Sequence, residues 1–201
     1  MDTTRGASEP CQLGDEAETR RDVLRWRKAE RAGLIAQRQA MAVSARQAAD
    51  AVIADDLVGD CGTVIGLYWP FRGEPDLRGW AAAMRDKGAK IALPVVIEKG
   101  RPLEFRLWSP DSRLTRGVWD IPIPAEGAPV LTPDLIIAPV VGADAAHFRL
   151  GYGGGFYDRT LAAMRAAGRR PWVIGVGYAF QSLPTIFPLG HDIAMDRVIL
   201  A

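Results

Sequence analysis

The sequence predicts an α/β fold, a single three-layer domain in which a mostly parallel sheet is flanked by helices and preceded by a long N-terminal helix. Short apolar runs alternate with helical stretches from residue 63 onward, which is typical of a sheet covered on both faces. The run Leu135–Val141 is apolar throughout, as expected of a central buried strand. Residues 19–57 contain no Pro and one Gly, which favours a helical segment.

Two parts are expected along the chain, a flexible tail over residues 1–18 and one α/β domain over residues 19–201. The tail combines Gly, Pro, Ser and acidic residues without periodicity, a composition typical of unstructured termini. Apolar residues recur intermittently over 19–57, so one long helix or two shorter ones fit this segment. Gly59 and Gly62 are expected to end it.

Local patterns predict the remaining elements. The β-branched run Thr63–Tyr68 predicts a strand, Asp76–Lys87 a helix, and Lys90–Val96 a second strand. Leu103–Trp108 alternates apolar and polar residues, as a hairpin partner would. Residues 109–133 contain five Pro and should be rich in loops. The last expected elements are a helix over Thr160–Ala167, a buried strand over Trp172–Gly177 and a short edge strand over Arg197–Leu200.

Composition excludes several classes of protein. The 201 residues carry a formal net charge of +1, so no overall field would recruit nucleic acid or an anionic membrane. Cys11 and Cys61 lack any Cys/His spacing typical of zinc, and neither a disulfide framework nor a zinc site is expected. No apolar run reaches the roughly 18 residues that span a bilayer, and no signal peptide is expected. We therefore expect a cytoplasmic protein whose oligomeric state is open, with a monomer plausible.

Residues 149–159 are the most unusual stretch, because four of the eleven residues are Gly. Gly has no Cβ, so its backbone can adopt a positive φ and approach a ligand closely. Gly151, Gly153, Gly154 and Gly155 precede a helix-like run. Such an arrangement cradles phosphate, because backbone N–H groups converge on an anion at a helix N-terminus. A surface turn is the alternative, and we favour the nucleotide-phosphate interpretation.

This loop matches neither of the two common nucleotide motifs. A P-loop needs Lys followed by Ser or Thr after its last Gly, where this chain has Phe156 and Tyr157. A dinucleotide fingerprint that starts at Gly151 needs Gly at position 156 and follows its strand directly. Here the run 135–141 ends ten residues before Gly151.

Charged residues frame the loop. Arg149 presents a planar fork of donors suited to phosphate oxygens. Asp158 is a candidate Mg²⁺ ligand, since Mg²⁺ takes one or two carboxylates and completes its shell with phosphate and water. A helix cap or an ion pair with Arg159 is the alternative for Asp158. Asp192, beside His191, is a second candidate carboxylate, although a turn residue is the commoner role on sequence alone.

Cations gather at the start of the long helix. Arg27 and Arg31 are four residues apart, hence on one helical face, and both could reach a triphosphate. A solvated face is the ordinary meaning of such a cluster. A role in RNA binding is disfavoured, because acidic residues interrupt the cluster and the rest of the chain is not basic.

Glu74 and Asp76 stand just before a predicted helix. Acidic residues there complement the helix dipole, so capping is the default role, and recognition of a heterocycle through its donor edge is the alternative. Trp108 and Trp119 lie in or beside the Pro-rich region. An indole at such a place closes the core or stacks on a flat ligand.

Together these residues resemble the 5-formyltetrahydrofolate cyclo-ligase family, also called methenyltetrahydrofolate synthetases. The most specific match is Asp134–Pro139 followed by Arg149–Asp158, which is similar to the strand and ATP loop of the family. The resemblance runs from about residue 20 to the last residue. It also includes Gly73–Asp76, Ile91–Pro94, Trp119–Pro122, Gly175–Phe180 and His191-Asp192.

The resemblance implies a reaction in which ATP and 5-formyltetrahydrofolate give 5,10-methenyltetrahydrofolate, ADP and phosphate, with Mg²⁺ as cofactor. It implies that the formyl oxygen attacks the γ-phosphate and that N10 then closes the ring as phosphate leaves. Such chemistry needs charge neutralisation and in-line positioning more than acid–base side chains.

The resemblance also implies a role for each candidate residue. ATP would contact Arg27, Lys28, Arg31, Arg149, Gly151, Tyr152, Gly153, Gly154, Gly155, Phe156 and Tyr157, with the choice between Arg27 and Lys28 open. The folate pocket would comprise Phe71, Glu74, Asp76, Trp119, Phe156 and Tyr157. Mg²⁺ would be held by Asp158 and Asp192, and the catalytic residues would be Arg149, Tyr157 and Asp158.

A folate-binding paralogue without ligase activity is the alternative function. Such a protein would keep Trp119 and Glu74 but would not need Arg149, Asp158 and Asp192. All five residues are present, which favours the enzyme.

Overall fold

Buried aliphatic runs build a seven-stranded sheet in the computed structural model, which describes residues 16–57 and 63–201. From edge to edge its strands are β12 (Arg197–Leu200), β10 (Trp172–Gly177), β7 (Leu135–Pro139), β1 (Val64–Gly66), β2 (Lys90–Val95), β3 (Glu104–Trp108) and β6 (Val130–Leu131). The first five strands are parallel, and β3 and β6 run antiparallel to their neighbours. The predicted mostly parallel α/β sheet is confirmed.

Four helices accompany the sheet in the described part of the chain: α1 (Glu16–Ala40), α2 (Val43–Asp56), α3 (Arg78–Asp86) and α4 (Phe156–Ala166). The N-terminal helical segment forms two helices, because Ala42 adopts an extended conformation with φ −60° and ψ 145°. No Gly or Pro marks this break. Residues 1–15 and 58–62 lie outside the described residues, and with them most of the predicted tail and the stop expected at Gly59 and Gly62.

Helices cover both faces of the sheet because successive strand side chains point to opposite sides. Leu135 and Ile137 of β7 pack in the cluster that contains apolar residues of α2 and α3. Ile136 and Ala138 pack instead in the cluster that contains Leu161 of α4. The three layers follow from this alternation, and β7 is buried on both sides as its apolar sequence predicts.

Short strands occupy several segments for which the sequence predicts loops or no regular element. A three-stranded sheet comprises β11 (Ser182–Leu183), β8 (Gly142–Asp144) and β9 (Arg149–Leu150), and a two-stranded one comprises β4 (Leu114–Arg116) and β5 (Pro122–Pro124). Leu34 of α1 packs on the former through Leu150 and Leu183. This contact places the long helix beside the Gly-rich loop that follows β9.

The parallel strands direct the functional segments to one edge of the sheet. Residues 71–74 follow β1, and residues 149–158 follow β7 at its carboxyl end. Ligands of open α/β sheets bind at this edge, and the candidate residues of both segments therefore converge there. No helix within residues 16–57 and 63–201 is long and apolar enough to cross a membrane.

Candidate active site

A cavity of about 220 Å³ lies at the carboxyl edge of the sheet and brings most of the candidate residues together. Apolar strand ends such as Leu93 and Pro139 line part of it. The candidate residues that line it are Arg27, Arg31, Phe71, Glu74, Trp119, Arg149, Gly151, Tyr152, Gly153, Gly154, Gly155, Phe156, Tyr157, Asp158 and Asp192. One concave site therefore collects groups from α1, the loop after β1, the Pro-rich region and the Gly-rich loop.

The Gly-rich loop passes directly into α4. Gly153 has φ 92°, and Gly155, with φ 63°, is the N-cap residue of the helix. These positive φ values explain why Gly stands at both positions. Phe156 and Tyr157 occupy the first turn of α4, where the helix dipole favours an anion. Phe156 and Tyr157, which do not match the P-loop motif, thus form the start of a helix beside the cavity.

One side of the cavity is lined by Arg27, Arg31, Arg149, Asp158 and Asp192, which we call the charged wall. Arg31 Nε donates to the Gly151 carbonyl at 2.6 Å and so joins α1 to the Gly-rich loop. Burial, reinforced by the nearby Arg27 guanidinium, lowers the pKa of Arg31. Arg149 stacks over the Tyr157 ring at 4.6 Å and lies 3.8 Å from the Asp158 carboxylate. Cations therefore surround the entrance to the loop.

Arg27 and Asp192 form the best-defined ion pair of the charged wall. Arg27 Nη2 donates to Asp192 Oδ2 at 2.6 Å and Nη1 donates to Oδ1 at 3.3 Å, with both side chains buried. Burial acts to raise the pKa of Asp192, but the hydrogen bonds from Arg27 and from the Leu189 backbone hold that pKa below its usual range. Asp192 is therefore a fixed carboxylate at the cavity surface.

The two carboxylates of the charged wall suit Mg²⁺ in their chemistry. Asp158 Oδ1 accepts a hydrogen bond from the Ile193 backbone at 3.2 Å, which ties it to the residue after Asp192. No group of three or more His, Cys, Asp or Glu side chains that could hold an ion occurs within residues 16–57 and 63–201. Two hard oxygen donors without a complete protein cage are what Mg²⁺ uses when phosphate and water supply its other ligands.

Another part of the cavity lining comprises Phe71, Trp119 and Tyr152, which we call the aromatic wall. The rings of Phe71 and Trp119 are stacked, with centroids 6.1 Å apart and an interplanar angle of 7°. Tyr152 lies 5.8 Å from Trp119 and tilted to it. Trp119 is 53% exposed and has φ 58°, a strained backbone for a bulky residue. An exposed indole held in this way offers a face for a flat ligand.

Glu74 is a second buried carboxylate of the cavity. Its Oε2 accepts a hydrogen bond from the Phe71 backbone at 3.0 Å, and Oε1 lies 3.9 Å from Arg38 Nη2. Burial raises the pKa of Glu74 to about 7, although Arg38 acts to lower it. Glu74 thus combines a low-dielectric setting with free acceptor capacity next to the aromatic wall.

Lys28 and Asp76 do not line the cavity. Lys28 is exposed on α1, since one helical step turns it about 100° away from the buried Arg27. Asp76 accepts hydrogen bonds from the backbone N, the Nε and the Nη2 of Arg78. These bonds lower the pKa of Asp76. In this arrangement Asp76 secures the start of α3. Trp108 is buried in the core beside Trp69.

Arg38 is the site residue that the sequence reasoning missed. It is completely buried on α1 and donates to the Tyr152 hydroxyl. A usable signal existed, since residues 27, 31 and 38 are spaced by four and seven positions and share one helical face. An Arg on a helix ordinarily lies on a solvated surface, so the burial of Arg38 could not be predicted from its residue type.

The family model for 5-formyltetrahydrofolate cyclo-ligases matches residues 17–201. A protein of Mycolicibacterium smegmatis named 5-formyltetrahydrofolate cyclo-ligase is 30% identical over 69% of this chain and 73% of its own length. One of the same name from Haemophilus influenzae is 30% identical over 68% of this chain and 74% of its own.

Solved structures share the fold. A 5,10-methenyltetrahydrofolate synthetase from Mycoplasma pneumoniae superposes with a TM-score of 0.69 at 21% identity, covering 86% of this chain and 97% of that one. The NMR structure of the synthetase from Aquifex aeolicus gives a TM-score of 0.72 at 24% identity, with coverage of 87% and 89%. With the family model spanning nearly all of the described residues, the chain belongs to the 5-formyltetrahydrofolate cyclo-ligase family, a family of ligases.

Proposed function

We propose that this chain converts 5-formyltetrahydrofolate to 5,10-methenyltetrahydrofolate in a reaction that consumes ATP and requires Mg²⁺. The observation that carries the proposal is that the charged wall and the aromatic wall line the same cavity. A triphosphate suits the first wall and a flat heterocycle suits the second. The two substrates would therefore meet at the cavity centre.

The charged wall accounts for the use of ATP. The phosphates would lie against the Gly-rich loop and the N-terminus of α4, with Arg31 and Arg149 neutralising their charge. Asp158 and Asp192 would hold Mg²⁺, which neutralises further phosphate charge when bound. Because Arg31 is already fixed to Gly151, the cradle is assembled before the nucleotide arrives. Preorganised charge of this kind stabilises a transition state without reorganisation.

The aromatic wall accounts for the folate. The pterin would stack on Trp119 and Phe71, and Glu74 would accept hydrogen bonds from its N–H donors. Phe156 and Tyr157, on the first turn of α4, line the same cavity. They would form the apolar surface along which the formyl group approaches the γ-phosphate.

The reaction follows from this placement. The formyl oxygen attacks the γ-phosphorus, the bond to the ADP oxygen breaks, and an imino-phosphate forms on the folate. N10 then attacks the activated carbon, the C–O bond breaks as phosphate leaves, and the proton of N10 is lost. The side chains need to align the reactants and balance charge, and Arg149 is placed to do so at the developing phosphate.

An absorbance assay tests the proposal. Purified protein, 5-formyltetrahydrofolate and MgATP should give the absorption band of the methenyl product, together with one ADP per turnover. Omission of ATP or addition of excess EDTA should abolish the band. A flat trace from protein that still binds the folate would contradict the ligase and support the folate-binding paralogue.

A further inference from the structure

Arg38 is a buried cation that connects three separate segments of the chain. Its side chain has no exposed surface, and it lies near the C-terminal end of α1. Nε donates to the Arg72 carbonyl at 3.0 Å and Nη1 donates to the Val140 carbonyl at 3.2 Å. Nη2 donates to the Tyr152 hydroxyl. One guanidinium thus holds the loop after β1, the end of β7 and the Gly-rich loop together.

The same guanidinium faces the Glu74 carboxylate across the Tyr152 hydroxyl. Arg38 Nη2 lies 3.9 Å from Glu74 Oε1, and the two side chains are 0% and 3% exposed. The Tyr152 hydroxyl accepts from Arg38, and its interaction with Glu74 acts to lower the pKa of that carboxyl. A buried charge is retained only when it is paired and hydrogen-bonded. Arg38 is hydrogen-bonded to Tyr152, Glu74 accepts from the Phe71 backbone, and the two charges face each other.

Arg38 is the stronger of the two cations that act on Glu74. Arg149 is the other, and its effect on the pKa of Glu74 is smaller. Four tyrosines also face the carboxylate, and burial raises the pKa of each, so that all are neutral near pH 7. The groups around Glu74 are thus Arg38 on α1, Tyr68 after β1, Arg149 on β9, Tyr152 in the Gly-rich loop, Tyr157 on α4 and Tyr178 after β10.

We propose that Arg38 is a positioning residue for the folate: it favours the ionised form of Glu74 and fixes the Tyr152 ring against the aromatic wall, without touching the substrate. The proposal rests on the function proposed above, in which Glu74 accepts hydrogen bonds from the pterin. An ionised carboxylate offers both oxygens as acceptors, whereas a protonated one gives up part of that capacity. Arg38 thereby sets the pH range over which the pocket recognises its ligand.

The sign of the pH dependence follows from Glu74. With a pKa of about 7 in the folded protein, the carboxylate is ionised above that pH and protonated below it. Folate affinity that depends on the carboxylate is present at high pH and is lost as the pH falls through this range. An opposite charge within about 4–6 Å lowers a carboxyl pKa by about 1–3. Loss of Arg38 therefore moves the loss of affinity to higher pH.

The experiment measures the Glu74 titration directly in ligand-free protein. The ¹³C-carboxyl shift of Glu74, assigned by its absence in Glu74→Gln, is followed from pH 5 to 9 in the wild type and in Arg38→Met, Arg38→Lys, Tyr152→Phe and Arg46→Met. Arg46 is the matched control, because its Nη1 lies near Gly73 in the same loop but does not pair with Glu74. Folate affinity is measured over the same pH range by equilibrium dialysis.

Arg38→Met should raise the Glu74 midpoint by about one pH unit or more, while Arg38→Lys, which keeps the charge, should bring it back toward the wild type. Folate affinity of Arg38→Met should fall about tenfold at pH 7 and recover by about pH 9. Equal midpoints in Arg38→Met and Arg46→Met, or a uniform loss of affinity at every pH, would overturn the proposal.

Tyr152→Phe tests the proposal even if Arg38→Met does not fold. It removes the hydroxyl between the charges, so the Glu74 midpoint should rise while Arg38 stays in place. An unchanged midpoint together with unchanged folate affinity would overturn the network. A normal titration in protein that binds no 5-formyltetrahydrofolate would instead contradict the proposed function and leave the pairing of Arg38 and Glu74 standing.

Discussion

The charged wall and the aromatic wall of the cavity are held in place in different ways. The charged wall is joined by hydrogen bonds between distant segments, such as Arg27 with Asp192 and Arg31 with Gly151. The aromatic wall depends on ring contacts and on a loop with left-handed backbone at Trp119 and Asp120. One wall is therefore complete before a ligand binds, whereas the other presents an exposed ring that a ligand would cover.

This difference predicts how the two walls respond to mutation. Changes in the charged wall should reduce the rate strongly, because preorganised charge acts on the transition state. Changes in the aromatic wall should reduce affinity by smaller factors, since a single aromatic contact is worth about 1 kcal/mol. Single substitutions in each wall, each beside a control variant, test that contrast.

Arg149→Ala should lower kcat/KM for ATP by about 10²–10³-fold, because it removes a charge aimed at the phosphates. Folate affinity should stay within about twofold of the wild type. Steady-state kinetics with each substrate varied, together with folate binding, measures both. Arg101→Ala is the control, since Arg101 is exposed and forms its ion pair with the equally exposed Glu98. Equal losses in kcat/KM for ATP and in folate affinity would show that Arg149 does not act mainly on the phosphates.

Asp158→Asn should raise the Mg²⁺ concentration needed for half-maximal activity by about tenfold or more, because it replaces a hard anionic ligand by a neutral one. The measurement is activity against Mg²⁺ at fixed ATP. Asp86→Asn, an exposed position at the end of α3, should behave as the wild type. An unchanged Mg²⁺ requirement in Asp158→Asn would remove this carboxylate from the metal site.

Trp119→Ala should weaken folate binding by about tenfold, which corresponds to about 1.4 kcal/mol of lost stacking. The free energy of unfolding should change little, because the indole is 53% exposed. Trp172 is a matched control. It is 50% exposed but is the first residue of β10, at the amino end of the strand, whereas the cavity lies at the carboxyl ends of the strands. If Trp119→Ala and Trp172→Ala bind folate alike, the aromatic wall is not the pterin site.

Gly153→Ala and Gly168→Ala separate backbone strain from function. Both glycines have positive φ, 92° and 73°, so each variant should lose about 1 kcal/mol of unfolding free energy. A Cβ at Gly153 would lie 3.4 Å from the Arg31 guanidinium, whereas one at Gly168 meets nothing within 4 Å. Only Gly153→Ala should raise KM for ATP, by about threefold, because Gly153 lines the cavity and Gly168 does not. Equal increases in KM for ATP in the two variants would mean that the effect comes from backbone strain alone.

The sequence predicts the sheet well because its signal is local. Leu135–Val141 and Trp172–Gly177 are apolar runs of the length that buried parallel strands require, and both contribute strands to the sheet. The break between α1 and α2 has no such signal, since Ala42 leaves the helical conformation without a Gly or Pro. Short strands such as β8 and β9 also escape prediction, because two or three residues carry no periodicity.

The candidate site shows the same contrast between residues with a local sequence signal and residues without one. The Gly-rich loop is recognisable because its residues are contiguous, and it lies in the cavity. Arg38, Glu74 and Tyr152 come from three distant segments, so only the tertiary structure brings them together. Lys28 differs from Arg27 by a single helical step, and that step decides which side chain is buried.

The proposed reaction requires the two walls to bring the formyl oxygen and the γ-phosphate into contact. Folate labelled with ¹⁸O in the formyl group tests this step, with the released phosphate analysed by mass spectrometry after one turnover. The phosphate should carry the label, because the formyl oxygen attacks phosphorus and leaves with it. Label found in water, with unlabelled phosphate formed at the same rate as product, would rule out this step.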